Sequence, residues 1–92
     1  MTQTPFPKRR GKLWKQEARD AASVYEKESE GLHVLNSTAL AIWELCDGET
    51  SPNEIAHAVS ELTSLDEATA EIEVATTLEA LRSIGLLEPA SD

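Results

Sequence analysis

The spacing of apolar and polar positions changes near Leu35. From Lys12 to Leu35 the chain runs in short stretches that alternate apolar with polar positions, through Leu13, Lys15 and Ala18 and then Ala22, Val24 and Glu26. Arg19-Asp20 reads as a turn between them, and Glu28-Ser29-Glu30-Gly31 as a second turn before Leu32-His33-Val34-Leu35. Val24-Tyr25 and Leu32 to Leu35 carry the stronger β character, so the pattern predicts two or three short antiparallel strands.

After Leu35 the period becomes helical. Asn36 or Ser37 can N-cap a first helix, about Ser37 to Asp47, whose apolar stripe is Leu40 and Trp43 with Ala39, Ile42 and Cys46, and Gly48 closes it. Ser51-Pro52-Asn53-Glu54 has the spacing of a capping box with proline at the first helical position. It opens a second helix, Pro52 to Thr63, with Ile55, Ala56, Val59 and Leu62 on one face. Ser64-Leu65-Asp66-Glu67 repeats the spacing and opens a third, running to Ile84, with Val74, Leu78 and Leu81 on one stripe and Gly85 at its end. Leu86-Leu87 is an apolar tail able to dock on the core, and Pro89 stops further helix. Strands followed by three helices joined by tight turns make an α+β domain with a helix-turn-helix core.

Ninety-two residues, 40% apolar, suffice for one hydrophobic core and not for two domains. The expected division is a flexible basic arm at 1–11, a folded domain at 12–88 and a short tail at 89–92. The arm, MTQTPFPKRRG, is too poor in apolar residues to order itself. No apolar run of about 18 residues is present and the N-terminus lacks the apolar stretch of a secretory signal, so the expected location is the cytoplasm, with no membrane contact.

Charge is unevenly placed. Residues 1–15 carry +5 and residues 16–92 carry −14. A surface that displaces counterions from phosphate needs lysine and arginine, so a body this acidic argues against nucleic acid.

Catalytic chemistry is hard to build from these residues. His33 and His57 fall on different elements without an acidic or cysteine neighbour at metal-ligand spacing, and HExxH, CxxC and calcium-loop patterns are absent, so neither a metal nor another cofactor is expected. Cys46, the single cysteine, lies in the last turn of a helix beside Asp47, where a thiolate is disfavoured, and reads as a small buried hydrophobe. No GxSxG elbow or phosphate-cradling glycine loop occurs. Trp43 reads as a core anchor; Trp14 either covers the core or offers a hydrophobe to a partner. An enzyme is therefore not expected. What remains is binding: so small a sheet leaves a strand edge unpaired, and an extended peptide can add to it.

The run His33-Val34-Leu35-Asn36-Ser37-Thr38-Ala39, followed by Ile42-Trp43-Glu44-Leu45-Cys46-Asp47-Gly48, Glu54-Ile55-Ala56, Val74, Leu78, Leu81 and Gly85-Leu86-Leu87, resembles the PqqD family over about Lys12 to Glu88. These are RiPP recognition elements, small domains that bind the leader of a ribosomally made precursor peptide and present it to modifying enzymes of natural-product biosynthesis. The resemblance implies a three-stranded antiparallel sheet leading into a winged-helix-turn-helix-like bundle of three helices. It implies that the leader adds as a strand to the third strand, here Leu32, His33, Val34 and Leu35, and lies against the third helix, here Asp66 to Ile84. The enzyme partner implied is a radical SAM maturase or another RiPP enzyme.

Helical geometry narrows the expected groove. At about 100° per residue, Glu73, Thr77, Ala80 and Ile84 flank the core stripe on one side, and this flank is the expected groove. Ala68, Ile72 and Ala75 lie on the other. The family's Asp-Val in the third helix is Glu73-Val74 here, and a large apolar position three residues later is Thr77, so leader specificity is expected to differ. The rival reading is a winged helix-turn-helix DNA-binding regulator. Its recognition helix needs basic and amide side chains, yet Arg82 is the sole cation of the third helix against Asp66, Glu67, Glu71, Glu73 and Glu79.

Overall fold

The computed structural model describes residues 6–27 and 31–88. Within them the order is three strands and then three helices: β1 Lys12–Ala18, β2 Ala21–Glu26, β3 Gly31–Asn36, α1 Ser37–Leu45, α2 Pro52–Thr63 and α3 Glu67–Ser83. The strands form one antiparallel sheet with β2 in the middle. The α+β architecture expected from the change of period is the one observed. The Glu28-Ser29-Glu30 turn, the 89–92 tail and residues 1–5 of the arm lie outside the described residues.

Alternation decides which side of the sheet faces the helices. Ala22 and Val24 of β2 and Leu35 of β3 are buried, whereas Tyr25, Leu32 and Val34 point the other way and are exposed. The inward row joins Ile42, Trp43 and Cys46 of α1 and its C-terminal cap, Ile55, Ala56 and Val59 of α2, and Ala70, Val74, Leu78 and Leu81 of α3 in one cluster. Leu86 and Leu87, beyond α3, are buried in it as well. α1 packs on β2, β3, α2 and α3, while α2 and α3 lie along each other. The first helix is therefore the hub between sheet and helical pair.

The helix ends show which capping groups prevail. Asn36 caps α1, its side-chain oxygen accepting from the Ala39 N–H at 2.8 Å. The helix stops at Leu45, two residues before the expected end, because Cys46 has already left helical geometry (φ −82°, ψ 80°), and Gly48 then turns the chain at φ 84°. The capping box at α2 forms as expected: the Ser51 hydroxyl accepts from the Glu54 N–H at 3.1 Å and the Glu54 carboxylate accepts from the Ser51 N–H at 2.9 Å. At α3 the expected Ser64 box does not form. Ser64 instead closes α2 in the left-handed region (φ 64°), and the Asp66 carboxylate caps α3 by accepting from the Thr69 N–H at 2.7 Å. An ionised carboxylate also complements the positive end of the helix dipole, which a serine two residues earlier could not reach.

Leu62 also departs from expectation. Its angular position matches Ile55 and Val59, yet it is 70% exposed in the last turn of α2. Helical periodicity fixes the direction of a side chain, not whether another element extends far enough to cover it.

The arm expected to be flexible is ordered from Pro7 to Arg10. The Arg9 N–H donates to the Cys46 carbonyl and the Gly48 N–H to the Pro7 carbonyl, while on the other side the Arg10 N–H donates to the Leu86 carbonyl and the Glu88 N–H to the Lys8 carbonyl, each at 2.8 Å. The segment thus bridges the end of α1 and the segment after α3, satisfying backbone groups that neither helix can pair internally. Side chains complete the clamp. Arg9 lies over the Trp43 ring, 5.7 Å from its centroid, and donates to the Glu44 carbonyl at 3.0 Å, placing a cation at the negative end of α1. The Trp43 indole N–H donates back to the Arg10 carbonyl at 3.1 Å, and Arg10 pairs with the buried Glu26 at 3.4 Å. Gly11 then turns the chain into β1 at φ 94°, where a Cβ would lie 2.7 Å from the Tyr25 carbonyl oxygen, so only glycine fits. Composition predicted disorder because it counts apolar area and cannot see such backbone partners.

Candidate functional site

The two edges of the sheet are built differently. β1 meets β2 with irregularities of register between Leu13 and Lys15 and between Gln16 and Ala18, and it carries the exposed Lys12 and Lys15. Bulges and lysines are what edge strands use to refuse a further strand. β3 has neither. Its register with β2 is unbroken from Ala21 opposite Asn36 to Glu26 opposite Gly31, and its sequence, GLHVLN, holds no lysine, proline or carboxylate.

The four β3 residues singled out from the sequence divide between the two faces. Leu32 and Val34 are 52% and 65% exposed on the outer face. Leu35 is buried, opposite Ala22, and belongs to the core; His33, opposite Val24, is half-buried on the same inner side.

On α3, Val74, Leu78 and Leu81 face the core, and Thr77 beside them is half-buried. Glu73, Ala80 and Ile84 are exposed, Ile84 at 38%. The opposite flank, Ala68, Ile72 and Ala75, is exposed too. α3 packs along α2 and against α1, and no strand lies extensively along it. An open depression of about 400 Å³ lies on the β1 side of the sheet, between the arm and α1, lined by Arg9, Gly11, Lys12, Leu13, Trp43 and Glu44.

The groups with reactive potential are held in unreactive settings. The Cys46 thiol is fully buried and donates to the Ile42 carbonyl at 3.1 Å; burial pushes its pKa up to about 11 despite the nearby Arg9. His57 does have acidic neighbours, contrary to the sequence reading. Its Nδ1 lies 2.8 Å from Glu67 of α3 and its Nε2 lies 3.3 Å from Glu61, one turn on. The hydrogen bond to Glu67, and then the charge of Glu61, hold the imidazole pKa above its ordinary value. The triad ties α2 to the start of α3 on the surface. Among the described residues, no group of three or more His, Cys, Asp or Glu side chains is arranged to hold a metal ion, and no helix is long and apolar enough to cross a membrane.

Two features of the site were missed in the sequence. One is the bulge that sets Trp14 beside Tyr25 and distorts β1, for which alternation of Leu13 and Lys15 gave no signal. The other is the clamp of Arg9 and Arg10 around Trp43, which joins residues more than thirty positions apart.

The family described as coenzyme PQQ synthesis protein D (PqqD) matches residues 23–87, from β2 through the segment after α3. The chain belongs to the PqqD family. Comparison with curated proteins finds no match. Among solved structures, the complex of TbiB1 with the TbiA(beta) leader peptide is similar, with 25% identity, a TM-score of 0.72, and coverage of 92% of this chain and 99% of that one. The matched span begins inside β2 and leaves out β1.

Proposed function

We propose that this PqqD-family domain is a cytoplasmic peptide-binding adaptor that holds the leader of a ribosomally synthesised precursor peptide by strand addition at β3 and presents it to a modifying enzyme, such as a radical SAM maturase. The observation that carries the reading is the contrast of edges: β3 is regular, uncharged and exposed, while β1 is bulged and lysine-bearing. A strand added at β3 gains main-chain hydrogen bonds along Leu32, His33, Val34 and Leu35. Its side chains alternate between the outer face, beside Leu32 and Val34, and the inner side, toward the third helix. The groove on that side is assigned to Glu73, Thr77, Ala80 and Ile84. Similarity to TbiB1, a protein solved with a leader peptide, supports a leader peptide as the ligand here.

The domain itself performs no chemistry in this reading. Its single cysteine is sealed in the core with its proton held, and its carboxylates are spread over a solvated surface. The exposed carboxylates of α3, Glu71, Glu73 and Glu79, repel a phosphate backbone, which supports a peptide ligand over DNA.

The test is an NMR titration of the isotopically labelled chain with its cognate leader peptide. Saturable shifts are expected at the amides of Leu32 to Leu35 and along Glu73 to Ile84. Shifts concentrated on Lys12 to Gln16, with β3 unmoved, would sink the assignment of the edge; tight binding of a DNA duplex at low salt would sink the function.

A further inference from the structure

The face of the sheet turned away from the helices carries four exposed large apolar or aromatic side chains around the small, buried Ser23. Tyr25 stands opposite Leu32 across β2 and β3, and Val34 stands opposite Ser23. The Trp14 ring lies 5.9 Å from the Tyr25 ring, tilted by 46°. Trp14, Leu32 and Val34 are each more than half exposed, and Tyr25 more than a third. Four such side chains on one face form a contiguous patch of the kind that marks an interaction surface. Its rim is basic: Lys12 lies opposite Tyr25 and Lys15 opposite Ser23, so both lysines flank this face of a body whose residues 16–92 carry −14.

We propose that this outer face docks a folded partner protein whose own surface is apolar at the centre and ringed by carboxylates, and that the partner is the enzyme acting on the peptide held at β3. The second half rests on the strand-addition reading given above; the first rests on the patch and its rim alone.

Charge chooses the occupant. Three strands about 4.8 Å apart and six residues long present roughly 300 Å² per face, so any partner docked here must reach onto neighbouring surface as well. Two copies meeting through this face would bring two sets of Lys12 and Lys15 into one small interface, where like charges repel. An acidic rim on a different protein reverses that sign. A strand added at β3 widens the same face by about 4.8 Å and sets its outward side chains next to Leu32 and Val34. The partner then touches domain and peptide together, and docks more tightly when the peptide is present. By reciprocity, the partner tightens the peptide by the same factor.

Trp14 and Lys15 test the proposal because both lie on the edge opposite β3. Calorimetric titration would use the full chain, its leader and the purified enzyme that modifies that precursor, with Trp14→Ser and Lys15→Glu as variants and circular dichroism to verify folding. Trp14→Ser is expected to weaken enzyme binding tenfold or more. Lys15→Glu should weaken it several-fold and flatten its salt dependence, with leader affinity within twofold of wild type in both. Saturating leader should tighten enzyme binding to the wild type several-fold. Enzyme affinity unchanged in a folded Lys15→Glu and a folded Trp14→Ser would overturn the proposal. So would a wild-type dimer in sedimentation that Trp14→Ser returns to monomer, since the face would then belong to a second copy. Enzyme docking that depends on Trp14 in a chain that binds no leader would uphold the docking face and remove the strand-addition reading.

Discussion

β1 and β3 border the same strand and differ in almost everything that governs what comes next to them: Leu35 of β3 is buried in the core, whereas Lys12 to Gln16 of β1 are exposed. β1 is bulged on either side of Lys15-Gln16 and carries lysines, and it is tethered through Gly11 to an arm clamped by Trp43. β3 is regular, holds no lysine, proline or carboxylate, and runs directly into α1 through the Asn36 cap. An edge strand is a liability unless it is blunted or used. This chain blunts one edge and leaves the other open, and that asymmetry is a stronger pointer to peptide binding than the mere existence of an edge.

The comparison can be broken most severely from its anchored side. Trp43→Ala removes a core aromatic and the hydrogen-bond donor and stacking partner of the arm at once, and should cost about 3–5 kcal/mol. Thermal unfolding measures the loss. Hydrogen exchange should show β1 amides released ahead of those of β3, and uniform release of all three strands would mean that the arm does not hold β1 selectively.

Adding to β3 the kind of charge that β1 carries should close the open edge. Val34→Lys, at an exposed position, is expected to leave the melting temperature nearly unchanged and to weaken leader binding about tenfold, a loss of about 1.4 kcal/mol. Isothermal titration against wild type checks it, and equal affinity would place the peptide elsewhere. The reverse exchange is subtler. With Lys12 and Lys15 both replaced by valine, β1 loses its repulsive rim and the outer face loses its charge, so concentration-dependent self-association should appear in sedimentation velocity where wild type shows little.

The smallest effect should touch neither edge. His57 gains its Glu67 hydrogen bond and Glu61 pairing in the folded state, so its folded pKa lies above the ordinary 6.5. The stabilisation is therefore complete below pH 6.5 and is lost as pH rises through the folded pKa. Because the imidazole is exposed, the change is slight. Stability measured from pH 6 upward should fall gently in wild type and stay level in His57→Gln; a steeper fall in the variant would contradict the sign.

Much of the fold was legible because it is written in local chemistry. The change from alternation to helical spacing after Leu35, the Ser51-Pro52-Asn53-Glu54 box, and Gly48 and Gly85 located the three helices within a few residues, after a sheet of two or three strands. Local rules failed where two of them competed for one place. At Ser64-Leu65-Asp66 either oxygen could cap a helix, and the carboxylate prevailed while serine took the left-handed turn. They also failed where a neighbour had to be present, as at Leu62. For the site, the sequence pointed to β3 and to the third helix. It showed the lysines of β1 and their absence from β3, but not the register shifts of β1 against β2 or which strand lies in the middle of the sheet.

The sequence by itself determined the elements, their order, the buried stripes and the acidic body, because helix, strand and cap formation depend on neighbours a few positions away and burial follows from periodicity. The tertiary structure alone decided that Pro7 to Arg10 is a clamped strap rather than a loose arm, that His57 is gripped by two carboxylates, and that one edge of the sheet is closed and the other open. Those outcomes depend on contacts between residues distant in the chain, such as Arg9 with Trp43 and Arg10 with Glu26, whose distances are fixed only once the core has brought the elements together.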